Sequence, residues 1–326
     1  MNDVQIIGVG HYLPNQVWTN HDLEKSINTT DEWIFTKTGI RQRHIADPSE
    51  ATSDLALYAS LNAIKDANIH AEDVDLIILA TSSPDMIQPS TASILQGKLG
   101  ATHAAAFDIG AVCAGFVYAL VTATGMMRAF PHYKNVLVVG AETYSRILNW
   151  KDRTTCVFFG DGAGAVLLSQ STKPGYLGHY LMNDGLGWDI IKFPAGGSRI
   201  PASKSSLEDG LHAFQMDGRK VWDFAIEAMP AAVREAAKDA NIQVLDIDLV
   251  VPHQANINII RRSMQALGLP MEKTYPTIEH TANTSGASIP IALSFARLAG
   301  KVKEGDIVAF VGFGGGLSWG CAIFRC

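Results

Sequence analysis

The sequence predicts an α/β protein made of two related halves, residues 1–170 and 171–326. Three observations lead there. Short, continuously apolar runs alternate with longer helical patterns along most of the chain, the order that builds sheets covered on both faces. Val74-Asp-Leu-Ile-Ile-Leu79 is echoed by Ile247-Asp-Leu-Val-Val-Pro252, and Val136-Leu-Val-Val-Gly140 by Ile307-Val-Ala-Phe-Val311, at offsets of 173 and 171 residues. Interior glycine clusters recur near the end of each half. The near-constant offset and repeated order favour a duplicated βα unit over chance likeness between generic buried strands. Duplication predicts that reactive loops converge where the halves meet.

In chain order, residues 4–9 form the first expected strand, closed by Gly10, and residues 54–67 an amphipathic helix. Residues 75–80 carry the unbroken apolar run of a strand buried on both faces. The pattern over 90–99 is helical, and 104–108 runs extended into Ile109-Gly-Ala-Val-Cys113. Residues 114–130 suit a buried helix, although Gly115 and Gly125 each weaken it. Residues 135–140 are a second buried strand. Residues 156–159 and 165–168 are expected as two strands around a tight connection, Gly160-Asp-Gly-Ala-Gly164. Periodicity weakens from 169 to about 216, where the clearest loop spans 194–206. A helix over 221–240, a strand over 247–251, a helix after Asn256, a loop around 281–285, and a helix over 289–299 follow. Strands over 306–311 and 319–324 close the chain.

Composition removes several function classes. Hydrophobic residues make up 47% and charged residues 18% of the chain, the balance of a folded globular protein. A formal charge of −6 gives no global electrostatic reason to bind nucleic acid or anionic lipid. The start of the chain lacks the pattern of an export leader, and no apolar run approaches the roughly 20 residues of a spanning helix. The four cysteines, Cys113, Cys156, Cys321 and Cys326, form no CxxC pair and no zinc-like spacing. The expectation is a cytoplasmic protein with no structural metal.

Four places carry chemistry. Cys113 lies between a strand and a long apolar helix, where unpaired N–H groups favour a thiolate and small neighbours admit a carbonyl. Taken alone, an apolar segment more often holds an inert cysteine. None of the other three cysteines offers this strand-to-helix placement. His253 follows a buried strand, at the sheet end where open α/β folds bind ligands; a histidine bridging local backbone fits equally well. Asn283 precedes a helix and can aim its amide at a reacting oxygen, while a cap or Asx turn is the commoner role. The cluster Gly312-Phe-Gly-Gly-Gly316 can expose main-chain N–H groups to an oxyanion or simply reverse a sheet. Gly8-Val-Gly10 lacks the third glycine of a dinucleotide fingerprint, since position 13 is Leu. Gly160-Asp-Gly-Ala-Gly164 lacks the Lys-Ser/Thr of a phosphate loop.

In combination these segments are more specific. Thr30-Asp-Glu-Trp-Ile34, Thr38-Gly-Ile-Arg-Gln-Arg-His44, Cys113-Ala-Gly-Phe116, Phe159-Gly-Asp-Gly-Ala-Gly164, Pro252-His-Gln-Ala-Asn256, Asn283-Thr-Ser285 and Gly312-Phe-Gly-Gly-Gly-Leu-Ser-Trp-Gly320 stand in this order. The chain thereby resembles the β-ketoacyl-[acyl-carrier-protein] synthase III family of the thiolase superfamily over nearly its full length. The resemblance implies a duplicated thiolase-like fold in five α/β/α/β/α layers, the nucleophile in the first half and a His/Asn pair in the second. It implies a homodimer, an acyl-carrier protein as partner, acyl-coenzyme A as substrate and no tightly bound cofactor, metal, nucleic acid or membrane insertion. The implied roles are Cys113 as nucleophile and His253 with Asn283 as the decarboxylation pair. The main-chain N–H groups of Cys113 and Gly315 would form the oxyanion hole. Trp33, Arg153, Gly218 and Asn256 would contact coenzyme A or pantetheine, with Lys37 where the family commonly has Arg. Arg219, Lys220, Arg261 and Arg262 would dock the carrier, although Asp223 and Asn258 stand where some relatives are basic. Gln88 would reach the partner subunit's acyl pocket, and Ala282 replaces a usual Gly.

The implied reaction is decarboxylative condensation of a short acyl-coenzyme A with malonyl-acyl-carrier protein, the start of type II fatty-acid synthesis. A starter enzyme or acyltransferase of specialised metabolism is the alternative on the same chemistry. A catalytically silent subunit is disfavoured by the intact Cys113, His253 and Asn283 set.

Overall fold

The structure, a computed structural model, describes residues 3–326. The chain begins with β1 (Asp3–Tyr12), β2 (Gln16–Thr19), α1 (Asn20–Glu24), α2 (Asp31–Thr38) and β3 (Gln42–Ile45). It continues through α3 (Thr52–Ala67), β4 (Leu76–Ala80), α4 (Thr91–Leu99), β5 (Ala105–Ile109), α5 (Gly115–Ala129), β6 (Asn135–Glu142) and β7 (Gly162–Ser171). Then come β8 (Tyr176–Asn183), β9 (Ile191–Lys192), α6 (Lys204–Glu208), β10 (Gln215–Met216) and α7 (Gly218–Asp239). The last elements are β11 (Leu249–Pro252), α8 (Ile257–Leu267), α9 (Ile278–Thr281), α10 (Ser288–Leu298), β12 (Ile307–Gly314) and β13 (Ser318–Arg325).

Two mixed sheets carry the architecture. The first has the order β1-β7-β6-β4-β5, the second β11-β12-β13-β8. In each, a short, fully buried strand pairs parallel with a longer neighbour: β4 with β6, and β11 with β12. Helices α3 and α4 cover the outer face of the first sheet, and α7 and α8 that of the second. Between the sheets lie α5 and α10, apolar nearly all round because both sides meet a sheet. The segment Val112–Ala129 has the length and apolarity of a membrane span, yet it packs in this central layer. These are the five layers of a thiolase-like α/β fold.

Several glycines are explained by close packing. A Cβ on Gly115 would stand 3.1 Å from the Ala80 Cβ, so Gly lets α5 begin against the end of β4. Residues 156–159 are not the strand expected from their apolar pattern but a series of turns, and β7 starts at Gly162, inside the supposed glycine connection. The reason is α10: a Cβ on Gly164 would lie 2.6 Å from the Ile291 backbone nitrogen. Gly162 and Gly164 are therefore strand positions that admit a helix. In the weakly periodic region, β8 is an edge strand whose burial is mixed, which blurs the alternation a buried face would impose.

Candidate active site

Cys113 sits where β5 turns into α5, in a 3-10 turn over Val112–Ala114. Val112 enters that turn at φ 47°, a conformation β-branched residues rarely adopt. The end of β12 presses on it from the other sheet. A Cβ on Gly314 would be 2.7 Å from the Cys113 backbone nitrogen, and one on Gly312 would be 3.2 Å from the Ala114 Cα. Of the glycine cluster, Gly312 and Gly314 thus remain in β12 and admit the backbone around Cys113. Residues 315–317 make the reversal into β13. Burial pushes the Cys113 thiol up to about 12; a hydrogen bond with Ser285 opposes the rise and the charge of Glu142 adds to it. The strand-to-helix placement expected to favour a thiolate is present, but desolvation outweighs it and the resting group is the thiol.

His253 follows β11 and extends its ladder, its backbone N–H donating to Val311 at 2.8 Å. Its Nδ1 is 2.7 Å from the Ser288 Oγ at the start of α10, and that oxygen also accepts the Gln254 N–H at 3.2 Å. The ring stands edge-on to Phe313, with centroids 5.3 Å apart. Burial pulls its pKa down to about 3, so the imidazole is neutral across physiological pH. Nε2 has no hydrogen-bond partner among the described residues.

Asn283 is clamped by its backbone, donating to Phe158 at 2.9 Å and accepting the Gly160 N–H at 3.1 Å. Its Oδ1 accepts the Ser285 N–H at 2.8 Å, the Asx turn anticipated as its commoner role, and this leaves the amide N–H₂ free. Ala282, ahead of it, is held at φ 55°, ψ −162°. The loop 283–288 joins the three residues. Ser285 places its Oγ 3.3 Å from the Cys113 Sγ, Asn283 fixes the Ser285 backbone, and Ser288 holds His253.

The other predicted residues lie at the surface. The Arg153 guanidinium is 5.3 Å from the Trp33 ring centroid and donates to the Asn28 carbonyl at 2.7 Å. Asn256 caps α8 through its Oδ1, at 2.8 Å from the Asn258 N–H, and its Nδ2 donates to the Lys37 carbonyl at 2.9 Å. Both its polar ends are therefore engaged. Gly218 opens α7 with free space above its Cα. Beside it Arg219 pairs with Asp223 at 3.0 Å and Lys220 with Asp217 at 3.7 Å. Arg261 and Arg262 project from α8, and neither forms an ion pair among the described residues. Gln88 is exposed beside Ile87, itself 81% exposed.

Sequence reasoning missed Ser82, Glu142, Tyr144 and Ser285. Glu142, the last residue of β6, is completely buried. It accepts from the Ser82 N–H at 3.1 Å, the hydroxyls of Ser82 at 3.0 Å, Ser83 at 2.5 Å and Thr81 at 3.3 Å, and the Gly286 N–H at 3.3 Å. Burial raises its pKa, and these donors oppose the rise. An acid closing an otherwise apolar strand was the one available signal.

Comparison with known proteins agrees with this fold. The family model described as 3-oxoacyl-[acyl-carrier-protein (ACP)] synthase III matches residues 107–185, and its C-terminal counterpart matches residues 237–326. A β-ketoacyl-[acyl-carrier-protein] synthase III of Clostridioides difficile is 51% identical over 320 residues, covering 98% of this chain and 97% of the relative. One of Caldanaerobacter subterraneus subsp. tengcongensis is 49% identical, with 98% of this chain and 97% of the relative covered. The crystal structure of a 3-oxoacyl-[acyl-carrier-protein] synthase III from Aquifex aeolicus superposes with a TM-score of 0.91 at 41% identity, covering 99% of this chain and 100% of that one. Fold and likeness together define a thiolase-like condensing enzyme, an acyltransferase. The chain belongs to the β-ketoacyl-[acyl-carrier-protein] synthase III family.

Proposed function

We propose that this enzyme condenses a short acyl group, delivered as acyl-coenzyme A, with malonyl-acyl-carrier protein to initiate type II fatty-acid synthesis. The observation that carries the reading is the shared loop 283–288. Its Ser285 touches the Cys113 sulfur, its Ser288 holds His253 and it begins at Asn283, so one segment ties the nucleophile to two side chains whose Nε2 and Nδ2 have no hydrogen-bond partner among the described residues.

Cys113 attacks the acyl thioester, expels coenzyme A and holds the acyl group. The main-chain N–H groups of Cys113 and Gly315 receive the carbonyl oxygen. Malonyl-acyl-carrier protein then loses carbon dioxide while His253 and Asn283 donate to its thioester oxygen, where enolate charge develops. For Nε2 to carry the proton, Nδ1 must accept. Ser288 meets that requirement, because its oxygen takes the Gln254 N–H and its own hydrogen is left for Nδ1. The enolate carbon attacks the Cys113 thioester and releases the β-ketoacyl carrier.

The exposed Trp33–Arg153 stack suits a planar base of coenzyme A. Lys37, Gly218 and Asn256 line the approach, with Asn256 acting chiefly through the α8 cap it already makes. Arg261 and Arg262, without acidic partners among the described residues, are the carrier-docking cations, and Arg219 and Lys220 contribute less because each is already paired. A homodimer is supported by the loop bearing Met86 and Ile87, which stands out from the monomer beside a concavity of about 610 Å³ that includes Ser82, Thr143 and Phe193. Gln88 in that loop would meet the partner's acyl pocket. The cytoplasm is the proposed compartment, with neither cofactor nor metal held tightly.

Intact-protein mass after incubation with acetyl-coenzyme A tests the first step. An acyl adduct should form on the wild type and be absent from Cys113→Ala. The acylated enzyme should release carbon dioxide from malonyl-acyl-carrier protein and yield the β-ketoacyl product. Acyl transfer without carbon dioxide release would reject condensation.

A further inference from the structure

The acylation step just proposed requires that the Cys113 thiol lose its proton, and among the described residues no basic side chain is hydrogen-bonded to the sulfur. Its polar neighbour is Ser285, 3.3 Å away. From Ser285 a line of hydroxyls leads to the buried Glu142, its last member, Ser82, being half-buried at the concavity beside Met86 and Ile87. Ser285 Oγ donates to Tyr144 Oη at 3.3 Å, Tyr144 Oη lies 2.9 Å from Ser82 Oγ, and Ser82 Oγ donates to Glu142 Oε1 at 3.0 Å.

Each hydroxyl has one hydrogen, so the carboxylate end sets the direction of the whole line. The backbone N–H groups of Ser82 and Gly286 are obligate donors to Glu142, and the hydroxyls of Ser82, Ser83 and Thr81 can donate to it as well, an arrangement that suits an ionised acceptor. Ser82 spends its hydrogen on Glu142, so Tyr144 must donate to Ser82 and accept from Ser285. The Ser285 oxygen is thereby left to accept from the Cys113 S–H. Four donors in series point from the nucleophile to a buried carboxyl group, each link joining residues 60 to 172 positions apart along the chain.

We propose that Glu142 is the terminal acceptor of the Cys113 proton, reached through the hydroxyls of Ser285, Tyr144 and Ser82. As the sulfur bonds to the thioester carbon, the S–H proton passes to Ser285 Oγ. The hydrogens of Ser285, Tyr144 and Ser82 each move one oxygen along, and Glu142 becomes the neutral acid. Collapse of the tetrahedral adduct expels the coenzyme A sulfur. The proton returns along the same oxygens to that sulfur, so coenzyme A leaves as the thiol and Glu142 is again ionised. Ser285 alone touches a reacting atom; Tyr144, Ser82 and Glu142 act through it as positioning residues. The interacting titratable groups are Cys113, Tyr144 and Glu142. Burial holds Tyr144 well above its ordinary value, so it relays hydrogens as a neutral phenol. Its ring is fixed by stacking on Phe159, with centroids 4.7 Å apart, and edge-on contact with Phe214.

Ser82 and Ser285 also approach to 3.5 Å, a weaker bypass of Tyr144. The test therefore uses Ser285→Ala and Ser82→Ala, which interrupt both routes, and Tyr144→Phe, which interrupts one while keeping the stacked ring. Quenched-flow mass measurement of acyl transfer from acetyl-coenzyme A should show the two serine variants slowed about 100-fold or more, the scale of general-base assistance. Tyr144→Phe should be slowed less. In the serine variants the acylation rate should climb about tenfold per pH unit on the alkaline side, as the unassisted thiolate forms, while the wild type levels off. Because the hydroxyls act as one unit, the double variant should be no slower than the worse single variant. Serine variants that acylate at the wild-type rate, or that are slowed with an unaltered pH profile, overturn the relay and leave the condensation reading standing. A wild type that forms no adduct overturns both.

Discussion

Around Cys113 the polar groups form one line ending in a buried carboxyl group, whereas around His253 and Asn283 they form two short, closed pairs. On the first wall Ser285, Tyr144 and Ser82 connect the thiol to the buried Glu142 carboxyl group. On the second, His253 is held by Ser288 and backed by Phe313, and Asn283 spends its oxygen one turn away. A group that must lose a proton needs somewhere to send it. A group that must stabilise an enolate needs a fixed hydrogen and no charge of its own. Under the proposed chemistry the two walls meet these demands separately, one with a conduit and the other with a dead end.

The largest expected effects break that comparison at the second wall. His253→Ala and Asn283→Ala should each lower decarboxylative condensation by the pre-acylated enzyme by about 10²–10³-fold, the cost of one lost donor in an oxyanion site. Acylation by acetyl-coenzyme A should change little, since neither donor belongs to the proton line. Separate single-turnover measurements of the two half-reactions check this. Equal losses in both would show that the walls do not divide the work.

A pH series sharpens the same point. With His253 pulled down to about 3 by burial, condensation by pre-acylated enzyme should show no inflection between about pH 5 and pH 8. For stability, the unfolded chain binds a proton at this histidine near its ordinary 6.5 and the folded chain only near 3. Between those values the unfolded state holds more protons, so stability should fall as pH drops from about 6.5 toward 3. Replacing His253 with Asn should flatten that part of a urea-midpoint profile against pH.

What was legible in the sequence follows from the range of each interaction. The buried strands and the helices covering them are written in local apolar patterns, so β4, β6, β11, β12, α3 and α5 were expected close to where they lie. Cys113, His253 and Asn283 each follow a local break, and their motifs in series pointed to one chemistry. Glycines misled where their purpose was remote: nothing near Gly164 announces Ile291, the residue whose backbone it admits. The hydroxyl line was invisible for the same reason. Ser82 and Tyr144 are ordinary residues in ordinary segments, and Ser285, although inside the Asn283-Thr-Ser285 motif, carries no signal of its own; their meaning exists only when two sheets meet.

Both walls also store backbone strain immediately before the working residue, Val112 at φ 47° before Cys113 and Ala282 at φ 55° before Asn283. Ala282→Gly is the smallest expected effect and tests how firmly the second wall is set. Relief of an unfavourable dihedral is worth about 1–3 kcal/mol. Against it stand the buried methyl, about 0.8 kcal/mol, and the greater freedom of glycine in the unfolded chain, about 0.4–1 kcal/mol. The midpoints of these ranges leave glycine favoured by about 0.5 kcal/mol, with extremes of about 0.8 against it and about 1.8 in its favour, read from denaturant unfolding at pH 7. Condensation should stay within about twofold, because Asn283 is fixed by the Phe158, Gly160 and Ser285 bonds rather than by the residue before it. A stability loss above about 2 kcal/mol would instead show that the Ala282 methyl, packed in the cluster of Ile34, Val157 and Ile278, is what holds the amide in place.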